Sequence, residues 1–287
     1  MERARLVAPC IVAAFVLSGV ATATAPAAFR EEPPEYGQCL RKPFHGTGNW
    51  RNAACTIPGG PGATEHRYEW YPGFGQNGAG DLARLITRRK FTSKIKKATV
   101  AVLHVDHLPT VICAGETAQG EITGPKTVGN VVVRFTGCTE TAGNGCQRIG
   151  QPPGTIVTDP LQGELGIIKE FAFDPLKNKA GLVLYFEGTE FECAGIPVVV
   201  TGAVIRPTAA NSMRIRETEQ FSSAAGEQVP KSFAFVGKRE QQPAFVANII
   251  PEYKLVTSIA GGGFADSSLS LTTIEKFEMN IEVSTLN

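Results

Sequence analysis

Period-two patterning, recurring from residue 98 to the C-terminus, is the feature that most limits what this chain can fold into. NVVVRFTGC (130–138) sets Val131, Val133 and Phe135 against Val132, Arg134 and Thr136. Successive side chains of a strand point to opposite faces, so this alternation marks a β-strand. ATVAVLHV (98–105), GLVLYFEG (181–188) and IPVVVTGAVIRP (196–207) read alike, and KSFAFVG, KLVTSIAG and SLSLTTIEKFEMNIEV continue the pattern. Between them lie GNGC, DPLKNKAG and AGGG, clusters of the residues that make turns. The main helical candidate is DLARLITRRK (81–90), where Leu82, Leu85 and Ile86 share a face; it is equally compatible with the start of a strand. The expected fold is all-β, an antiparallel β-sandwich or barrel-like sheets, with at most one or two short helices.

The N-terminus reads as an export signal. Arg3 and Arg5 precede an apolar run from Leu6 to about Val20, followed by small residues in A-x-A spacing. Residues 1–28 are expected to be cleaved, leaving a secreted β domain at 29–287. Cys10 lies early in the apolar run and is read as lost with the signal. No later segment is long and apolar enough to span a bilayer as a helix. The expected location is extracellular or at the cell surface. A boundary near 207–212 would separate a cysteine-containing part from a C-terminal β part; one continuous sheet system fits the pattern equally well.

Six cysteines remain: Cys39, Cys55, Cys113, Cys138, Cys146 and Cys193. An even number in an exported chain points to a disulfide-stapled fold, and no pair has C-x-x-C spacing. Short loops close cheaply, which favours Cys39 with Cys55 and Cys138 with Cys146 and leaves Cys113 with Cys193. Removing the signal leaves 26 basic and 26 acidic residues, so no global field gathers nucleic acid or anionic membrane.

Several stretches resemble a family of uncharacterised exported proteins from soil actinobacteria: PEYGQC (34–39), GTGNW (46–50), YEWYPGF (68–74), FTSK (91–94), GEITGPKTVGNVVVRFTGC (120–138), GTIVTDPLQGELGII (154–168), KNKAGLVL (177–184) and FECAG (191–195). The resemblance spans most of the chain and weakens after about residue 210. It implies secretion, cysteine pairs and β structure, and it supplies no reaction, cofactor or catalytic residue.

Three stretches could carry a site. HVDHLP places His104, Asp106 and His107 within four positions. The resemblance puts a hairpin turn there, Asp and Pro109 suit a loop, and further zinc ligands would have to come from distant His45, His66 or carboxylates, so the turn is preferred to a metal site. RLITRRKFTSKIKK carries Arg84, Arg88, Arg89, Lys90, Lys94, Lys96 and Lys97 without an acid, a pattern for a polyanion such as an acidic surface polymer or for a solvated strand edge. Export and the lack of recognition motifs point away from nucleic acid. Trp50, Tyr68, Trp70, Tyr71 and Phe74 could stack on sugar rings or pack in a core.

Catalytic patterns are thin. There is no G-x-S-x-G, H-E-x-x-H or P-loop, and AGGGF (260–264) has no accompanying nucleophile and base. Glu164, Glu187, Glu190 and Glu192 could supply a glycosidase-type pair. No cofactor and no metal are expected. The preferred reading is a secreted structural or binding protein contacting cell-wall glycans or acidic polymers, and not an enzyme. The alternatives are a self-associating adhesion-type protein and an exported carboxylate-dependent hydrolase. The first requires an exposed aromatic or basic surface, the second a concentration-dependent oligomer, and the third two close carboxylates in a pocket.

Overall fold

A computed structural model describes residues 33–44, 46–60, 66–73, 88–224, 227–234 and 252–286. The signal segment and most of the helical candidate, residues 81–87, lie outside these. The chain forms β1 (Glu35–Arg41), β2 (Tyr68–Pro72), β3 (Lys90–Ile95), β4 (Ala101–Val105), β5 (Val111–Ile122) and β6 (Thr127–Glu140). Then follow β7 (Cys146–Gln147), β8 (Ile156–Val157), β9 (Leu161–Lys169), β10 (Lys179–Cys193) and β11 (Ile196–Thr208). The last are β12 (Arg214–Ala224), β13 (Glu227–Val229), β14 (Leu255–Ile259) and β15 (Ala265–Ser284). A single 3-10 turn, Pro175–Lys177, interrupts the β structure of the described residues. No helix among them is long and apolar enough to cross a membrane.

All ladders are antiparallel, and they close on themselves. The circuit runs β5–β6–β9–β10–β11–β14–β15 and returns to β5 through β3 and β4. β3 and β4 occupy one position in this ring: β15 pairs with β4 over Ser267–Ser270 and with β3 over Thr273–Phe277. They are one strand interrupted at Lys96–Val100. β12 continues the line of β14 along β15, so eight strand positions surround the interior. An eight-position barrel leaves just enough room for side chains to fill the centre. Strands before and after 207–212 therefore belong to one sheet system, and β15 also pairs with β1.

The period-two rows sort into inside and outside. Leu269, Leu271 and Phe277 of β15 point inward with Val131 and Val133 of β6, Leu182 and Leu184 of β10, and Val204 of β11. Each such buried aliphatic contributes about 1.5–3 kcal/mol. On the outer side of β10 and β11, Val183, Ala203 and Ile205 are covered by Phe233 and Tyr253. Gly202 has φ +103°, and a Cβ there would stand 2.0 Å from the Lys254 carbonyl oxygen, so the close approach of the chain entering β14 requires glycine.

The disulfides correct one expectation. Cys39 joins Cys55, but the other two bridges are Cys113–Cys138 and Cys146–Cys193. Cys113 lies directly opposite Cys138 in the β5–β6 ladder, and Cys146 opposite Cys193 in the β7–β10 ladder. Ladder register outweighs loop length, because it has already brought each pair together before the bond forms. Mass mapping of unreduced peptides should find these three pairs; a Cys138–Cys146 peptide would refute the register. Removing Cys113–Cys138, which closes 25 residues, should cost about 3 kcal/mol of stability in denaturant unfolding.

Candidate functional site: an outer basic groove over a buried acidic cluster

The turn reading of HVDHLP holds. Asp106 and His107 connect β4 to β5, with His107 at φ 58° and 3.4 Å from the Asp106 carboxylate, both exposed. His104 is exposed on β4, 3.4 Å from the Thr110 hydroxyl. His66 bonds the carbonyls of Gly48 and Gly60, away from this turn, and His45 lies outside the described residues.

The aromatic stretch is a small core of its own. Trp70 is buried against the Cys39–Cys55 bridge, with Trp50 and Tyr68 packed on it. Its indole N–H donates to Glu35 at 2.8 Å. A buried indole presents no face to a sugar, so the glycan-stacking reading of Trp70 is withdrawn. Tyr71 is half-buried beneath the Lys42 ammonium, 5.6 Å from its ring centre. Phe74 lies outside the described residues.

The structure divides the basic run. Arg84 lies outside the described residues. Arg88 and Arg89 are exposed beside the start of β3, and Lys96 and Lys97 are exposed in the interruption after it. Lys90 stands opposite Glu121, and its backbone N–H donates to Glu278. Lys94 alone enters a groove, on the outer face of β12–β15–β3–β5–β6. Its cavity is about 760 Å³, within the range of ligand clefts.

Register builds that groove from two rows. One runs Arg216, Lys276, Thr92, Gln119 and Val132; the other Ile274, Lys94, Thr117, Arg134 and Val157. With strands spaced about 4.8 Å apart, each row extends about 19 Å across the sheet. Four cations and no acid line it. Arg134 donates to Gln151 at 3.1 Å; among the described residues no carboxylate pairs with any of the four. Arg216 stands directly opposite Lys276, a like-charge pair that costs stability unless an anion screens it. Three of these cations were invisible in the sequence as a cluster, because they come from β6, β12 and β15.

The inner face of the same strands is acidic. Glu217 and Glu275 stand directly opposite in the β12–β15 ladder, both buried, with buried Glu219 beside them. Arg206 of β11, also buried, donates to Glu275 at 2.8 Å and pairs with Glu219. The Thr208 hydroxyl donates to Glu217 at 3.0 Å. Burial raises the Glu275 carboxyl, countered by Arg206, and burial together with the Glu275 charge raises Glu217. Glu116, bonded by Ser93, is pushed up to about 7 by burial. The signal was legible: Thr273 and Glu275 continue the inward row of Leu269 and Leu271, and Glu217 and Glu219 that of Phe221.

Of the four glutamates weighed as a catalytic pair, Glu164 and Glu187 stand apart. Glu164 stands opposite Val183, four residues from Glu187, so about 13 Å separates those positions along the strand. That exceeds the spacing glycosidase carboxylates use, at most about 9.5 Å. Glu190 and Glu192 share the outer face of β10 two residues apart, about 6.6 Å along the strand, and Glu192 accepts from Gln147. AGGGF is the hairpin between β14 and β15, tied by the Ser258 hydroxyl to the Gly262 carbonyl.

Replacing Arg206 with Met should lower unfolding free energy at neutral pH by about 3–5 kcal/mol, because it strands buried carboxylates. Burial raises Glu282 from about 4.5 to about 8, with Arg214 opposing. A raised folded value means the fold prefers the neutral carboxyl. Its contribution is complete below about pH 4.5 and is lost as pH rises through about 8. Glu282→Gln should therefore leave Tm unchanged near pH 4.5 and raise it progressively toward pH 9; a pH-independent difference would contradict this assignment.

No protein-family model, curated protein or solved structure matches this chain, so its geometry carries the functional argument.

Proposed function

We propose that this is an exported, disulfide-stapled barrel that binds an acidic polymer of the cell surface through the groove of Lys94, Arg134, Arg216 and Lys276. The observation that carries the reading is the cation set itself: four basic side chains in two rows, with no acid among the lining residues. Such a surface attracts repeated negative charge rather than one small anion, because its charges spread over about 19 Å. Three disulfides fit an oxidising compartment, and the N-terminal pattern fits export. A neutral glycan fits less well, since Trp70 is buried in a core and Trp50 and Tyr68 pack against it.

The test is binding of linear polyglutamate and polyphosphate to the oxidised protein across a salt series. Binding should fall steeply between about 50 and 500 mM salt as screening shortens the reach of each charge. The double variant Arg216→Ala/Lys276→Ala should weaken it by about tenfold or more, whereas Lys96→Ala/Lys97→Ala should change it little. Equal binding by the groove variant, or none at low salt, would overturn the proposal.

A further inference from the structure

The acidic cluster inside the barrel brings more carboxyls together than its protein cations can pair. Glu116, Glu217, Glu219 and Glu275 bring four carboxylates, while Arg206 and, from 3.8 Å at Glu217, Arg214 bring two positive charges. Each missing charge matters in an interior, where an unpaired carboxylate is costly. One carboxylate oxygen from each of Glu217, Glu219 and Glu275 lies within 4.8 Å of the other two, a span that two calcium–oxygen bonds of about 2.4 Å cover.

Independent observations point at the same spot. Arg206 occupies one oxygen of Glu219 and one of Glu275; the second oxygen of Glu219 has no hydrogen-bond partner, and Glu275 lies within hydrogen-bonding reach of the Glu217 carboxyl. Glu116, 4% exposed, has an unpartnered Oε2, and Thr273, 2% exposed, an unpartnered hydroxyl. Both line the cavity that Arg206 and Glu275 also line, and Thr273 stands opposite Glu219 in the ladder. That cavity is about 40 Å³, above the roughly 10–15 Å³ that one water needs, and of the three glutamates it is lined by Glu275. With all four carboxyls ionised, a divalent ion would balance the two charges that Arg206 and Arg214 leave over.

We infer that Glu217, Glu219 and Glu275 form a buried site for a calcium-sized divalent cation inside the barrel, distinct from the outer groove. All three ligands lie on β12 and β15, so the ion fastens the strand that flanks the barrel's closing strand. Magnesium is the poorer fit, because it demands near-ideal octahedral geometry at about 2.0–2.1 Å. The ion enters as the barrel folds, since the ligands are buried in the finished structure.

The test unfolds the disulfide-bonded chain in denaturant with EGTA, then refolds it with calcium, with magnesium or with neither. Elemental analysis after desalting should find about one calcium per chain, and Tm should rise with the logarithm of calcium concentration. Glu217→Gln should fold and lose the bound calcium. Wild-type protein that retains no calcium, with a Tm indifferent to it, would overturn the site and leave protons as the neutralising charge. Equal retention of magnesium would overturn the assignment of ion size, and retention of calcium by Glu217→Gln would overturn the ligand set.

Discussion

Arg206 spans a seam that backbone hydrogen bonds leave open. β11 is laddered to β14 only over Val198–Gly202, and beyond that point its neighbour is β12, with which it shares no ladder among the described residues. Arg206 crosses this gap to Glu219 of β12 and Glu275 of β15, and Thr208 bonds Glu217. A guanidinium suits the task because its planar fork serves two carboxylates at once. Main-chain ladders close the ring at the level of β14, and beside β12 the closure depends on these side chains.

That seam explains why so polar a cluster survives in the centre of an apolar barrel. A buried ion pair rarely adds net stability over a hydrophobic substitute, since desolvation opposes the Coulomb attraction. Its contribution is geometric: it fixes β12 against β11 in one register. The apolar rows on either side, with Leu182, Val204, Phe221 and Leu271, would accept a slipped strand more readily than Arg206 would.

The same five strands face opposite charge in opposite directions. Inward, β5, β12 and β15 carry carboxylates; outward, β3, β6, β12 and β15 carry the groove's cations. The alternation of a strand makes this division possible within single segments: Arg216 points out and Glu217 in, Glu275 in and Lys276 out. Over part of β10 and β11 the outer face is closed by Phe233 and Tyr253.

The sequence by itself determined the β class, the turns and the alternation of faces, because a period of two is a local property that any strand must obey. It also contained the odd residues in the inward rows, Glu217, Glu219 and Glu275, which read as charges on an apolar face. Tertiary structure alone decided which strands are neighbours. Pairing Cys113 with Cys138 and Cys146 with Cys193, closing the ring through β15, and gathering Lys94, Arg134, Arg216 and Lys276 all depend on ladder register between segments far apart in the chain. Register is set by the fit of whole faces, a sum over many contacts that no single stretch of residues encodes.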